Sequence, residues 1–175
     1  MPIRWLHAVA AFLRLQWLRL RAEVAPGVKV AGRVWLPGTG RVAIGARARL
    51  SGPCAPIELR AEHTAELLLE DDVVVEDGCS IEATEQVRIG ARSRLGAFCK
   101  VLDNHLHGGA GDFSRRPPGR PVVVEEDCII GPHAILLPGA HVGRGSQVGP
   151  GTVVSKRIPP GSHFAGMPPI LRSRT

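Results

Sequence analysis

Residues 124–154 read VEEDCIIGPHAILLPGAHVGRGSQVGPGTVV, and a single spacing runs through the whole segment. An apolar residue that favours β-strands stands at every sixth position, and a small residue follows four positions later. The apolar positions are Val124, Ile130, Leu136, Val142, Val148 and Val154, and the small positions are Cys128, Ala134, Ala140, Ser146 and Thr152. The α-helical period of 3.6 residues cannot produce this spacing. Six residues make one short strand and one turn, so the segment predicts triangular coils of three such units that stack on one another.

The same period extends toward the N-terminus with interruptions, and we predict that the coils fill residues 25–158. It is carried by Ile44 and Leu50, by Leu69, Val75 and Ile81, and by Ile89, Leu95 and Val101. The step from Ile81 to Ile89 is eight residues, which predicts two extra residues at one corner. A glycine follows Ile130, Val142 and Val148, and we expect it to take a positive φ in a tight corner.

The composition agrees with a narrow and regular interior. Aromatic residues make up only 4% of the chain, whereas there are 21 Gly and 15 Pro, which suits a fold of many corners. The cysteines contain no Cys-x-x-Cys pair, which argues against a zinc site. Each of them instead follows an apolar anchor by four positions. We therefore predict small, buried side chains at Cys54, Cys79, Cys99 and Cys128.

The six-residue period stops between Val101 and Val124. The intervening sequence is rich in Gly, Pro and Arg, which predicts an excursion loop over residues 103–121 instead of another coil. Two histidines, His105 and His107, stand at the start of this loop. Imidazole has a pKa near 6.5 and can accept a proton at neutral pH. The start of the loop is therefore the candidate site for chemistry.

Residues 1–24 precede the coils and are predicted to form a basic amphipathic helix. No acidic residue comes before Glu23, and the basic side chains are Arg4, Arg14, Arg19 and Arg21. Two interpretations stay open: the helix covers the open end of the coils, or residues 1–21 make peripheral contact with an anionic membrane surface. The segment is too short and too charged to span a bilayer.

The formal net charge is +6, which raises the question of a polyanionic partner. Nucleic acid is not expected, because the arginines are dispersed and aromatic residues do not alternate with them on any strand. A basic surface equally suits a small anionic ligand. No segment resembles a secretory signal, so we expect a cytoplasmic protein, membrane-associated if residues 1–21 bind lipid.

The segment from Pro121 to Pro168 resembles the closing coils of the hexapeptide-repeat acyltransferases, most closely the sugar and polysaccharide O-acetyltransferases of the maltose and galactoside type. Its closing motif reads Ser155-Lys156-Arg157-Ile158-Pro159-Pro160 and then Gly166-Met167-Pro168. The resemblance implies an all-β fold, a left-handed parallel β-helix of hexapeptide repeats with a short N-terminal α-helix and an excursion loop. Residues 159–175 would end the coils as an extended tail. It also implies a homotrimer that uses acetyl-CoA, without a metal, to acetylate a sugar or polysaccharide-precursor hydroxyl.

The resemblance further implies which residues act. The motif Asp103-Asn104-His105-Leu106-His107-Gly108 matches the histidine motif that precedes the loop in the family, and its last histidine, His107, is implied as the catalytic base. His105 is the alternative. The base removes the proton of the acceptor hydroxyl, and Asp103 orients the imidazole or that hydroxyl. The positions implied for acetyl-CoA are Gly131, Pro132, Gly149, Pro150, Gly151, Ser155, Lys156 and Arg172.

Two other functions stay open at this point. A non-catalytic trimeric scaffold would use the same repeats only for assembly. A metal-dependent lyase resembling the γ-type carbonic anhydrase would need two histidines five positions apart on one coil, whereas His133 and His141 are eight apart.

Overall fold

The computed structural model describes residues 2–105, 117–166 and 170–173. It contains one helix, α1 (Pro2–Arg21), followed by short strands. The strands before the loop are β1 (Glu23–Val24), β2 (Lys29–Trp35), β3 (Arg41–Ile44), β4 (Arg49–Ala61), β5 (Glu66–Leu69), β6 (Val74–Val75), β7 (Ser80–Ala83), β8 (Gln86–Ile89), β9 (Arg94–Leu95) and β10 (Lys100–Leu102). The strands after it are β11 (Val122–Val124), β12 (Ile129–Ile130), β13 (Ile135–Leu136), β14 (His141–Val142), β15 (Gln147–Val148), β16 (Val153–Val154), β17 (Arg157–Ile158), β18 (Ser162–Ala165) and β19 (Ile170–Ser173).

The strands form stacked coils with three faces, and the chain visits faces 1, 2 and 3 in turn. Face 1 consists of β1, β3, β5, β8, β11, β14 and β17. Face 2 contains β6, β9, β12, β15 and β18, and face 3 contains β7, β10, β13 and β16, while the long strands β2 and β4 run from face 2 into face 3. From β1 to β18 neighbouring strands are parallel. The predicted left-handed parallel β-helix is confirmed.

The strand register explains the six-residue period. Ile130 pairs with Val148, and Leu136 pairs with Val154, so each apolar residue lies beside the one eighteen positions later. All four side chains are at most 2% exposed. Burying one such side chain contributes roughly 1.5–3 kcal/mol. The stability of the coils therefore comes from columns of apolar residues that run along the axis.

The glycines after these anchors have another role than the one expected. Gly131 and Gly143 do not have a positive φ, which occurs farther along the corner, for example at Gly145. A Cβ on Gly131 would lie 2.6 Å from the backbone nitrogen of Pro150, and one on Gly143 would lie 2.5 Å from that of Pro160. The expected positive φ was therefore wrong. These positions require glycine because the next coil approaches too closely for a Cβ atom.

Three of the four cysteines are buried as predicted, namely Cys79, Cys99 and Cys128. Burial raises the pKa of the Cys128 thiol to about 11, which keeps it protonated at neutral pH. Cys54 is exposed, so its predicted burial was wrong. The next anchor is Leu59, which pairs with Ile81 and comes nine residues after Leu50, so three extra residues in β4 move Cys54 out of the repeat phase.

The chain turns at three columns of corners, which we call corner 1 (from face 1 to face 2), corner 2 (from face 2 to face 3) and corner 3 (from face 3 to face 1). Corner 1 carries charged side chains at a φ of 59° on Arg47, Asp72, Arg92 and Asp127. Arg47 pairs with Asp72, and Arg92 pairs with Asp127, each with an N–O distance of 2.6 Å. These ion pairs join neighbouring coils on the outside of the molecule.

The two ends of the coil stack are covered differently. At the N-terminal end α1 packs on β2, and Leu18 of the helix is 1% exposed within the core. At the other end β18 still pairs in parallel with β15, so the stack continues past Ile158 as far as Ala165. β19 then folds back antiparallel to β18. No helix in the described part of the chain is long and apolar enough to cross a membrane.

Candidate active site at the loop root

The excursion loop leaves the coils at corner 3. β10 ends at Leu102 and β11 begins at Val122, so residues 103–121 stand where other coils have a short corner. The structure describes residues 103–105 and 117–121 of this segment, and we call these two pieces the loop root. The backbone of both pieces is hydrogen-bonded to neighbouring coils.

Corner 3 forms a column along the axis of the β-helix. Thr84 and Glu85 form this corner in the coil before the loop root. In the coils after it the corner lies between Leu136 and His141, and then at Ser155–Lys156. Because neighbouring strands are about 4.8 Å apart, Ser155–Lys156 lies roughly 10 Å along the axis from the loop root.

Asp103 is fully buried at the loop root. Its Oδ1 accepts hydrogen bonds from the N–H and the hydroxyl of Thr84, both at 2.8 Å. Its Oδ2 accepts from the N–H groups of Glu85 and Gln86 at 2.7 and 2.8 Å. The carboxylate therefore binds the corner of the preceding coil. This is the corner for which the eight-residue step predicted extra residues, and its amides are the ones that Asp103 satisfies.

The two ends of the loop are tied to each other and to the next coil. Nδ2 of Asn104 donates to the carbonyl of Pro117 at 2.5 Å. The N–H of Arg120 donates to the carbonyl of Asp103 at 2.7 Å, and the carbonyl of Arg120 accepts from the N–H of Gly139 at 3.0 Å. Asn104 is only 7% exposed, and its Oδ1 has no partner among the described residues. The loop thus leaves and returns at adjacent, hydrogen-bonded backbone positions.

The candidate bases, His105 and His107, stand two and four positions after Asp103 in the chain. His105 is exposed at the loop root, next to the buried pair Asp103 and Asn104. His107, the histidine that the family motif implies as the base, lies outside the described residues. The structure therefore shows a hydrogen-bonded loop root that carries the exposed imidazole of His105. His107 follows two positions later in the sequence.

The positions implied for acetyl-CoA divide between two corners. Ser155 and Lys156 share corner 3 with the loop root. Arg172 lies in β19, opposite His163 of β18. The remaining positions all lie at corner 2, one strand of face 3 away, and are Gly131, Pro132, Gly149, Pro150 and Gly151. Gly131 and Gly149 also have a packing role, because a Cβ on either would collide with the following turn.

Lys156 reaches over the C-terminal end of the core. Its Nζ lies 5.5 Å from the ring centroid of Phe164, which is 2% exposed. An ammonium over an aromatic face is attracted by the ring quadrupole. Lys156 is nevertheless exposed, so its charge remains accessible to an anionic group.

Sequence reasoning missed an imidazole–carboxylate pair on face 1. His141 begins a face 1 strand, and its Nε2 lies 2.7 Å from Oε1 of Glu125, the first residue of corner 1 in the preceding coil. The hydrogen bond with His141, and then the bond from the N–H of Arg144, hold the pKa of Glu125 below its usual range. The signal was present in the repeat, because Glu125 stands two positions after Val123, the residue that pairs with His141.

The outer side of face 3 holds only a small cavity beside the loop root. The cavity that Leu102, Asp103 and Asn104 help to line measures about 10 Å³, whereas ligand pockets span roughly 300–1,000 Å³. A shallow cleft of about 800 Å³ lies far from the loop, along face 1 and corner 1 from Glu23 to Arg92. Within the described ranges no three His, Cys, Asp or Glu side chains are grouped to hold a metal ion. A substrate can meet His105 only from outside the coil.

Comparison with known proteins agrees with this fold. The family model of the bacterial transferase hexapeptide, six repeats, matches residues 121–156. The 2,3,4,5-tetrahydropyridine-2,6-dicarboxylate N-acetyltransferase of Staphylococcus aureus is 37% identical over 68 residues. That match covers 37% of this chain and 28% of the enzyme, so the chain spans little more than a quarter of the length of the curated relatives it matches.

Two solved structures share the fold over most of their length. A variant of AntD, an N-acyltransferase from Bacillus cereus in complex with dTDP and coenzyme A, superposes with a TM-score of 0.68 at 13% identity, over 91% of this chain and 87% of that one. A maltose O-acetyltransferase from Clostridium difficile gives a TM-score of 0.58 at 18% identity, over 92% and 74% of the two chains. Residues 121–156 thus carry the hexapeptide repeat of bacterial transferases, and the chain shares the fold of these two solved structures.

Proposed function

We propose that the protein is an acyltransferase that moves an acetyl group from acetyl-CoA to a hydroxyl group of a sugar or polysaccharide precursor. The observation that carries this proposal is the loop root, where an exposed histidine emerges from a rigid corner of a hexapeptide β-helix. A second histidine, His107, follows at the position that the family motif assigns to the base. The bound coenzyme A of AntD and the acceptor in the name of the maltose enzyme support the two substrate classes.

The proposed reaction is a direct transfer. A histidine, His107 with His105 as the alternative, takes the proton of the acceptor hydroxyl while its oxygen attacks the thioester carbonyl. The carbon–sulfur bond breaks, and the coenzyme A thiolate leaves and is protonated. The product is an ester, and the enzyme carries no covalent intermediate. An alcohol is a poor nucleophile at neutral pH, so the reaction depends on a base with a pKa near 7.

Asp103 is proposed as a positioning residue in this reaction. Its carboxylate is buried and is bound by Thr84, Glu85 and Gln86, so it fixes the backbone from which the histidines extend. The sequence suggested instead that it orients the imidazole or the acceptor. Its hydrogen bonds to the preceding coil favour the indirect role.

A homotrimer is proposed as the active form. The cavity beside the loop root, on the outer side of face 3, measures only about 10 Å³, so an acetyl-CoA site there needs a second wall. The loop or a neighbouring copy can supply that wall. Light scattering on the purified protein should give a mass about three times 18.7 kDa. A monomer with full activity would contradict this part of the proposal.

The activity is tested by coenzyme A release from acetyl-CoA with a panel of acceptors that carry hydroxyl groups, amino groups or both. His107→Ala should lower the rate by about 10²–10⁴-fold with a hydroxyl acceptor, because general-base catalysis is worth that much. His63→Ala is the matched control, since His63 is exposed two coils before the loop root and is not among the positions implied for catalysis or acetyl-CoA.

The outcomes separate the alternatives. If His105→Ala is inactive while His107→Ala keeps its rate, the roles of the two histidines are reversed. If only amino acceptors react, the enzyme is an N-acetyltransferase, as the names of the Staphylococcus aureus and Bacillus cereus relatives allow. If no acceptor gives release from the folded wild-type trimer, the protein is a scaffold.

A further inference from the structure

The N-terminal end of the molecule exposes a large apolar surface. Four side chains of α1 contribute to it with exposed fractions from 43 to 83%, namely Phe12, Leu13, Trp17 and Leu20, and the first coil adds Trp35 at 53%. Leu13 and Leu20 are seven residues apart, about two helical turns, and therefore lie on the same side of α1. Leu18 is 1% exposed and already binds the helix to the core, so these side chains are not needed to hold it there.

Arginines surround this surface. Arg14, Arg19 and Arg21 of α1 and Arg33 of β2 are all exposed, and α1 contains no acidic residue. In the described part of the chain Arg14, Arg19 and Arg33 form no ion pair, in contrast to the paired arginines of corner 1. An unpaired guanidinium has its full capacity to bind an anionic group such as a phosphate.

A cleft joins the helix to the first coil at this surface. It has a volume of about 200 Å³, and its walls include Arg14, Trp17, Arg33 and Trp35. Tryptophan favours the boundary between apolar and polar lipid regions, and arginine favours phosphate, so the cleft combines the two side chains that a lipid headgroup region attracts.

We propose that α1 and the adjoining edge of the first coil dock on the surface of a bilayer that contains anionic phospholipids. The apolar side chains enter the upper acyl region, and the arginines lie among the headgroups. Face-to-face contact between two copies of this surface is disfavoured, because it would bring the unpaired arginines of both copies together. The docked surface extends beyond the helix that the sequence indicated, since Arg33 and Trp35 belong to β2.

Sedimentation of the full chain with vesicles tests the proposal. Vesicles of phosphatidylcholine mixed with phosphatidylglycerol should carry the protein down, and pure phosphatidylcholine vesicles should bind it much more weakly. Each arginine near an anionic surface is worth roughly a fivefold change in binding, so Arg14→Gln with Arg33→Gln should weaken it about 25-fold. Added salt should weaken binding as well.

A matched pair of apolar substitutions separates docking from general stickiness. Leu13→Ser with Leu20→Ser should lower vesicle binding by on the order of tenfold or more, since two large apolar side chains leave the lipid. Ile170→Ser is the control, because Ile170 is 57% exposed, close to Leu13 at 60%, but lies at the opposite end of the molecule. The control should bind vesicles as the wild type does.

Intrinsic fluorescence locates the contact, because the three tryptophans of the chain are Trp5, Trp17 and Trp35. A variant with Trp5→Phe and Trp17→Phe retains Trp35 alone, and its emission should shift to shorter wavelength on anionic vesicles. An unchanged emission would show that β2 stays away from the lipid and would overturn the extended surface. Failure of the wild type to sediment with anionic vesicles would overturn the whole proposal. So would a Leu13→Ser, Leu20→Ser protein that keeps the wild-type oligomeric state and binds anionic vesicles as the wild type does.

Discussion

Corner 1 and corner 3 use acidic side chains in opposite ways. At corner 1, Asp72 and Asp127 are exposed and pair with arginines of other coils. At corner 3, Asp103 is buried and is bound by three amides and a hydroxyl of the preceding coil. Solvent screens the exposed pairs, so each contributes little to stability. A buried carboxylate depends on its hydrogen bonds, because no water can replace them. Corner 1 should therefore tolerate substitution of its acidic side chains far better than corner 3 tolerates substitution of Asp103.

The largest expected effect is that of Asp103→Asn. The substitution should lower the free energy of unfolding by about 3–5 kcal/mol, because it breaks a buried charge-assisted network. An amide has only one acceptor oxygen, so its NH₂ group would face the N–H groups of the corner at Thr84–Gln86. Urea denaturation followed by circular dichroism measures the change.

Asp127→Asn is the control for that experiment, since it makes the same chemical change at an exposed position. Its urea midpoint should move much less than that of Asp103→Asn. Equal shifts in the two variants would mean that burial does not decide the difference between the two corners.

The second effect concerns the backbone of corner 1. Gly143→Ala should cost about 3 kcal/mol, because the added Cβ would lie 2.5 Å from the backbone nitrogen of Pro160 and the next coil would have to move. Corner 1 therefore tolerates exchange of its outer charges but not of this glycine. Thermal or urea unfolding gives the comparison.

Gly145→Ala is the matched substitution in the same corner. Gly145 has a φ of +67° with no atom within 4 Å of an added Cβ, so the only cost is backbone strain of about 1–2 kcal/mol. A larger loss for Gly145→Ala than for Gly143→Ala would show that conformation, and not coil spacing, governs the corner.

The smallest effect is the pH dependence of two ion-paired carboxylates, the exposed Asp127 and the half-buried Glu125. The hydrogen bond from Arg92 lowers the pKa of Asp127, and the hydrogen bond with His141 lowers the pKa of Glu125. A carboxyl whose pKa is lower in the folded than in the unfolded state stabilises the fold above its unfolded pKa, and this stabilisation is lost as the pH falls through the folded value. The free energy of unfolding should therefore decrease from about pH 5 downward.

A variant with Glu125→Gln and Asp127→Asn tests this assignment. Its free energy of unfolding should depend less steeply on pH over the acid range than that of the wild type. An unchanged slope would place the acid sensitivity in other carboxyls.

The interior of the coils could be predicted from the sequence because each anchor meets a residue a fixed distance along the chain. Ile130 and Val148 pair as the period requires. Cys54 shows the limit, since residues added within β4 break the phase between Leu50 and Leu69, where the sequence has no anchors at the expected positions. A period predicts position only where the number of residues per coil is constant.

The candidate site could be located but not built from the sequence. The interruption of the repeat and the two histidines identify the loop root, yet the partners of Asp103 lie seventeen to nineteen residues earlier. Most of their donors are backbone amides, which leave no signature in the sequence, and the hydroxyl of Thr84 is the one side-chain donor. The pair formed by Glu125 and His141 was missed for a related reason, because outward positions are not constrained by the apolar period.

The closure of the loop root has a consequence for how this fold can change. Because Arg120 returns to the carbonyl of Asp103, the chain departs from and rejoins the β-helix at almost one point. The intervening segment can therefore be exchanged for one of another length without altering the pitch of the coils on either side. A lineage, or an engineer, can thus graft a new recognition segment between His107 and Pro117 while the solenoid and both candidate bases stay as they are.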